Sequence, residues 1–401
     1  MTSDYEWRRQ RAEHRPRAGA RTDAHAGSFD ALIAYTCAAV FLLSLQSFYF
    51  PAFGGSVLCY AGLLMLLPLM LGRPVVLPAL SLAAVFYLLI GIRGFSDPTS
   101  LEKGFVGTTL GLLGLIAVPA AFADRRQVLA QALRIALTAH AVIIFVQAAL
   151  FFSGFGYVDL LKPFGLVQSV MSQKGVVFGV IQVPRFAGLF NEPGSYSSVV
   201  MAMLAAEYAL SRRFSRVTLL VLASVAATVS LGGMVLASVF LGAVVWDRVL
   251  RRRVSMASAV GSGIGLASFL LYLKTNFEKR AQLYLETGML QDSMLAWALN
   301  PQHLTLLGVR AANIPFGFSQ GYVGVWLDVL VFYGVLGLAA TGAFVVLALD
   351  LSGAAFAGVI LLAKLKFTYP LVFALLGAVY CGTTRSHSDR ETATALPSSA
   401  G

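Results

Sequence analysis

Charge is what this sequence has least of. Aspartate, glutamate, lysine and arginine make up only 12% of its 401 residues, against 58% hydrophobic residues and a mean hydropathy of +0.76. A water-soluble domain of this size does not carry such a composition, because it has too little polar surface to cover an apolar interior. Cysteine is nearly absent as well. Cys37, Cys59 and Cys381 fall inside or at the edge of apolar segments, without CxxC spacing or nearby histidine clusters, which argues against both a disulfide framework and a metal site. The apolar runs do not alternate with polar residues, which excludes a β-barrel. No internal repeat is strong enough to argue an inverted-repeat transporter.

What the chain does have is a series of apolar runs about 20 residues long, the length an α-helix needs to cross a bilayer core of about 30 Å. Spans are expected near Phe29 to Phe50, Ala52 to Leu71, Val75 to Ile92, Gly104 to Phe122, Ile135 to Phe152, Gly194 to Leu210 and Met256 to Leu273. The run from Val217 to Trp246 is too long for one span and carries Ser230, Gly232 and Gly233 at its middle, so it splits into two short helices. Gly321 to Leu347 reads as one longer, tilted span. Lys364, Lys366 and Pro370 interrupt Ser352 to Cys381, again giving two short helices. The fold class is therefore all-α, a polytopic membrane protein of about 12 transmembrane helices, within a range of about 10–12.

The net charge of +11 comes from short basic clusters between apolar runs. That is a topology signal, not a nucleic-acid surface. It puts both termini in the cytoplasm. Residues 1–28, rich in arginine and without an apolar core, read as a disordered tail before an uncleaved first helix. Residues 29–382 form a single membrane domain, and 383–401 form a second tail. Two extracytoplasmic loops, 153–192 and 274–320, are long enough to be functional and apolar enough to pack back onto the membrane domain.

The most informative stretch is VPRFAGLFNEPGSYSS, residues 183–198, where a polar segment leads straight into a membrane helix. Pro193 suits the first helical turn, with Glu192 or Asn191 as the cap. Such an outward-facing helix start attracts anions and keeps Glu192 ionised, available to accept a proton. The bland alternative is a cap paired with Arg185. Asp328 sits a few turns inside its helix, either as a functional carboxylate or as a structural partner for an arginine. Glu207, beside Arg212 and Arg213, reads as interfacial pairing, and His140 as a satisfied interhelical histidine. Tyr284, Trp297, Phe316, Phe318 and Tyr322 could face sugar rings, though membrane-interface anchors are the favoured reading.

RFAGLFNEPGSYS resembles the signature that opens a middle helix in the O-antigen polymerase and ligase superfamily. TVSLGGMVLA (228–237), WALNPQHLTLLGVR (297–310) and GYVGVWLDVLVFYGVLGLAA (321–340) are similar to further segments of that superfamily in the same order. Arg310 stands where the second glycine of a Gly-x-Gly turn is common. Ligase members usually carry a histidine and an asparagine just after the loop, whereas this chain reads FSQGYVG there and has His303 earlier. That difference favours polymerase.

The resemblance implies a GT-C-like membrane glycosyltransferase in the bacterial inner membrane, its active face periplasmic, with no metal or other cofactor. It would use an undecaprenyl-pyrophosphate-linked glycan as donor and another as acceptor within the lipid bilayer, alongside chain-length and export proteins. Guanidinium groups would meet the leaving pyrophosphate. Glu192, Arg185 and Arg280 are then the expected catalytic residues, and Asn191, Ser195, Tyr196, Arg310, Asp328 and His303 the expected substrate-binding ones. A ligase of the same architecture and a lipid-linked sugar flippase are the rival expectations.

Overall fold

The computed structural model describes residues 19–43, 77–96, 111–164, 181–252, 324–365 and 369–383, together with 49–50, 55–56, 176–178, 305–309 and a scatter of single positions between them. The architecture is helical. Along the chain run α1 (Gly19–Leu43), α2 (Leu77–Ser96), α3 (Gly111–Phe122), α4 (Arg126–Leu150), α5 (Pro193–Ser211), α6 (Arg216–Ala227), α7 (Leu231–Leu250), α8 (Val325–Ala348), α9 (Leu351–Leu362) and α10 (Pro370–Thr383). Two small antiparallel hairpins complete it, Tyr49–Phe50 with Gly55–Ser56 and Val176–Phe178 with Ile181–Val183. Among the described residues, three helices are long and apolar enough to cross a membrane: Arg126–Phe155, Leu231–Leu250 and Val325–Ala348; several shorter apolar helices accompany them.

The helix boundaries follow local chemistry. Ser215 and Thr218 form a reciprocal capping box at the start of α6, which satisfies two otherwise orphaned donors. Ser230 accepts from the Gly233 N–H at the start of α7, and Asp350 accepts from the Gly353 N–H at the start of α9. The splits expected at Ser230 and ahead of Pro370 are therefore real helix ends. The first span differs from expectation at both ends. It begins earlier, at Gly19, since no proline after Pro16 opposes the helix. It also stops at Leu43, and Tyr49 and Phe50 pair in the first hairpin.

The span expected over 321–347 is present as α8, long and apolar enough to cross a membrane, but its helix is interrupted. α8 starts at Val325 and breaks at Gly334, whose φ of 68° and ψ of −165° lie outside helical space. Residues 305–309 fill the break: the Val309 N–H donates to the Val331 carbonyl (2.7 Å), and the Val335 and Leu336 N–H groups donate to Thr305 and Leu306 (3.1 and 3.2 Å). Non-helical backbone at membrane depth persists only where its polar groups are met in this way. Both chains at the crossing need glycine, because a Cβ on Gly334 would lie 2.3 Å from the Leu306 carbonyl oxygen and one on Gly308 would lie 2.5 Å from the Phe332 backbone.

At the centre stands α5. Every residue from Ser195 to Leu210 is buried, as expected of a helix that packs on all sides. Its neighbours are α4, α6, α7, α9 and α10. The antiparallel run of α8, α9 and α10 brings the end of α9 beside the starts of α5 and α8, and the start of α9 beside the end of α10.

Candidate functional site

The start of α5 carries the richest exposed chemistry. Pro193 takes the first helical position and Glu192 the cap, but the Glu192 side chain makes no capping hydrogen bond. Its Oε1 instead receives the Lys364 ammonium at 2.5 Å and the Ser195 hydroxyl at 3.2 Å. The cap expectation for Glu192 is thus met by backbone alone, and its ionic partner is Lys364, not Arg185. Lys364 arrives because α9 ends at Leu362 and the chain turns over the α5 start, where the Lys364 N–H donates to Ser198 Oγ at 3.0 Å. Gly194 lies beneath the pair; a Cβ there would sit 3.6 Å from Glu192 Oε1 and 3.9 Å from Lys364 Nζ. The carboxylate side chain is 27% exposed and the lysine 22%. Both contacts fall on Oε1, and Oε2 has none among the described residues. The group is therefore a partly exposed carboxylate anchored through one oxygen. The N–H groups of Gly194 and Ser195 precede the first intrahelical bond, from the Tyr196 N–H to the Glu192 carbonyl, and such orphan donors favour negative charge nearby.

Behind this end, α5 meets the tip of the α6–α7 hairpin. Tyr196 and Ser224 share a hydroxyl hydrogen bond of 2.6 Å, and Ser197 and Thr228 share one of 3.1 Å. Gly233 permits the approach: a Cβ there would fall 2.5 Å from Ser197 Oγ. Tyr196 is fully buried and packs edge-on against Phe190, with His140 beside both rings. Ser195 is also buried, so of these two expected substrate-binding residues only its hydroxyl touches the site, through Glu192.

Two glutamines hold the approach to α5. Gln147 of α4 accepts from the Ala187 and Gly188 N–H groups through Oε1 and donates to the Val158 carbonyl through Nε2. Gln168 donates to the Gly188 and Phe190 carbonyls and accepts from Tyr157. Both are buried. The segment 184–190 thus packs back onto α4, with Arg185 half-buried and Asn191 exposed. Reading the sequence missed Gln147, Gln168 and Lys364. The available signal was a polar side chain inside or beside an apolar run, which demands a partner.

The remaining expected residues separate. Arg280 and Arg310 lie outside the described residues. Asp328 is buried in the first turn of α8, not a few turns in, because the helix starts at Val325. His303 stacks on Trp297, ring centroids 4.4 Å apart, and its Nδ1 donates to the Trp297 carbonyl at 2.7 Å. A carbonyl only accepts, so Nδ1 bears the proton. This pair precedes the 305–309 segment seated in the break of α8.

The opposite end of α5 is also polar. Arg212 donates to Asp247 Oδ1 at 2.9 Å, to Ser352 and to the Gly382 carbonyl; Arg251 and Ser352 donate to the same Asp247 oxygen at 2.8 and 2.5 Å. Asp247 is 2% exposed. Glu207, expected to pair with Arg212 or Arg213, instead accepts from Arg134 of α4 at 2.5 Å. Among the described residues no cluster of three or more histidine, cysteine or acidic side chains could hold a metal ion.

Comparison with known proteins finds no matching family model, no similar curated sequence and no matching solved structure.

Proposed function

We propose that the chain is a membrane-embedded glycosyltransferase that joins undecaprenyl-pyrophosphate-linked oligosaccharide repeats into a surface or exopolysaccharide at the outer face of the inner membrane. One observation carries the reading. Two of the four segments that resemble the polymerase and ligase superfamily, 185–197 and 228–237, pack together through Ser197, Thr228 and Gly233 directly behind a half-exposed carboxylate. In the proposed architecture about twelve spans form a GT-C-like membrane domain. The Glu192 end faces outward, because Arg212, Arg213, Arg216, Arg248, Arg251 and Arg252 lie toward the other end, where the cytoplasmic basic bias puts them. Both termini are then cytoplasmic.

The reaction assigns each group a task. An acceptor hydroxyl oxygen attacks the donor's anomeric carbon, the bond from that carbon to the pyrophosphate oxygen breaks, and undecaprenyl pyrophosphate leaves with the electron pair. The hydroxyl proton passes to Glu192 Oε2, which acts as general base. Arg185 and Arg280 meet the growing negative charge bidentately, with the orphan amides of the α5 start adding a fixed positive potential. Asn191, Arg310, Asp328 and His303 are assigned contacts to sugar or phosphate.

The test is the glycan of a deletion strain, fractionated into lipid-linked and extracellular pools, with wild type, Arg185→Ala and Glu192→Ala restored separately. Single lipid-linked repeats without polymer in the deletion and both variants, at normal protein level, are expected. Finished polymer left on its lipid carrier would mean a ligase, and normal glycan in every strain would sink the proposal.

A further inference from the structure

We infer that Lys364 is a positioning residue for the proposed base: with Ser195 it fixes Oε1 of Glu192 and so leaves Oε2 as the oxygen that receives the acceptor's proton. The inference rests on the polymerase reading of this end of the bundle, but its residue comes from the far end of the chain and from outside the segments that resemble the superfamily's α5 signature.

Three features support it. Lys364 Nζ and Ser195 Oγ approach the same carboxylate oxygen, at 2.5 and 3.2 Å, and Oε2 carries no contact among the described residues. Lys364 is also held from behind, since its own N–H donates to Ser198 Oγ one turn into α5. The ammonium and the carboxylate are thereby fixed on one helix end, and fixed geometry matters because a displacement of about 1 Å in a reacting group costs about 100-fold in rate. Finally, α9 stops at Leu362 and Ala363 turns to extended backbone (ψ 142°), which brings Lys364 over Gly194 at the start of α5. A lysine in an otherwise apolar stretch is costly, and anchoring the base gives it a task.

The test uses the full-length chain in lipid vesicles, supplied with the lipid-linked glycan that accumulates in the deletion strain and titrated to separate kcat from KM. Lys364→Met is expected to lower kcat about 10- to 100-fold with KM changed by less than about threefold, since the base is displaced while the substrate contacts remain. Lys364→Arg, which keeps a cation on Oε1, should recover most of kcat. Ser195→Ala should give a smaller loss of the same kind. Wild-type kcat in Lys364→Met, with Glu192→Gln inactive, would overturn the role of Lys364 and leave the base reading standing. Full activity in Glu192→Gln would remove the base reading itself, and the inference with it. Loss of folded protein in Lys364→Met together with a failure of Lys364→Arg to restore kcat would show a purely structural lysine and overturn the inference.

Discussion

The two ends of α5 are both polar, and they are built differently. At the Arg212 end, one Asp247 oxygen takes three donors, the carboxylate is 2% exposed, and four helices are tied at a single point. At the Glu192 end, the carboxylate is 27% exposed and takes two donors among the described residues. A buried carboxylate that takes several charged donors holds structure, and removing it leaves buried charge poorly compensated. A half-exposed carboxylate contributes little to stability and is available for chemistry. In the proposed reading the same residue types serve as a lock at one end and as a tool at the other.

That contrast breaks most severely at the lock. Asp247→Ala removes the buried anionic partner of Arg212, leaving it only the more distant Asp350 at 3.7 Å among the described residues, and is expected to cost about 3–5 kcal/mol, seen as a large fall in thermal unfolding temperature in detergent and as depleted protein in membranes. Gly334→Ala should follow at about 3 kcal/mol, because the residue's φ/ψ suits only glycine and the new methyl group meets the Leu306 carbonyl; limited proteolysis near 305–309 would report the released segment. Gln147→Leu leaves the Ala187 and Gly188 N–H groups buried without their acceptor, at about 2 kcal/mol, with faster hydrogen exchange at those two amides. Glu192→Gln has the smallest effect on stability, under about 1 kcal/mol, while abolishing polymer. If Glu192→Gln unfolded the protein as Asp247→Ala does, the two ends would be equivalent and the functional reading of the Glu192 end would lose its basis.

Much of the helical framework was legible because helix punctuation is local. Ser230 and Asp350 reach donors only three residues away, Pro193 and Pro370 start helices through a fixed φ, and the interruption around Lys364 to Pro370 separates α9 from α10 wherever the rest of the chain goes. The break at Gly334 was not legible. Nothing in VFYGVLG distinguishes it from a continuous apolar helix; what opens the helix is a segment about 25 residues upstream that supplies the missing hydrogen-bond partners. Asp328 moved for the same reason at the other boundary, since Gly324, with φ 126°, ends the preceding backbone and sets the helix start at Val325.

The sequence by itself determined that this chain is helical and apolar, where most described helices begin and end, and that 183–198 is a chemically unusual helix start. Those properties depend on composition and on contacts within a few residues. Only the tertiary structure decided which charges pair. Lys364 lies 172 positions from Glu192, and Arg134 lies 73 from Glu207. In an apolar interior every charge must find a partner, but proximity along the chain does not say which one. Helix packing does, by bringing the end of α9 over the start of α5 and α4 alongside its flank.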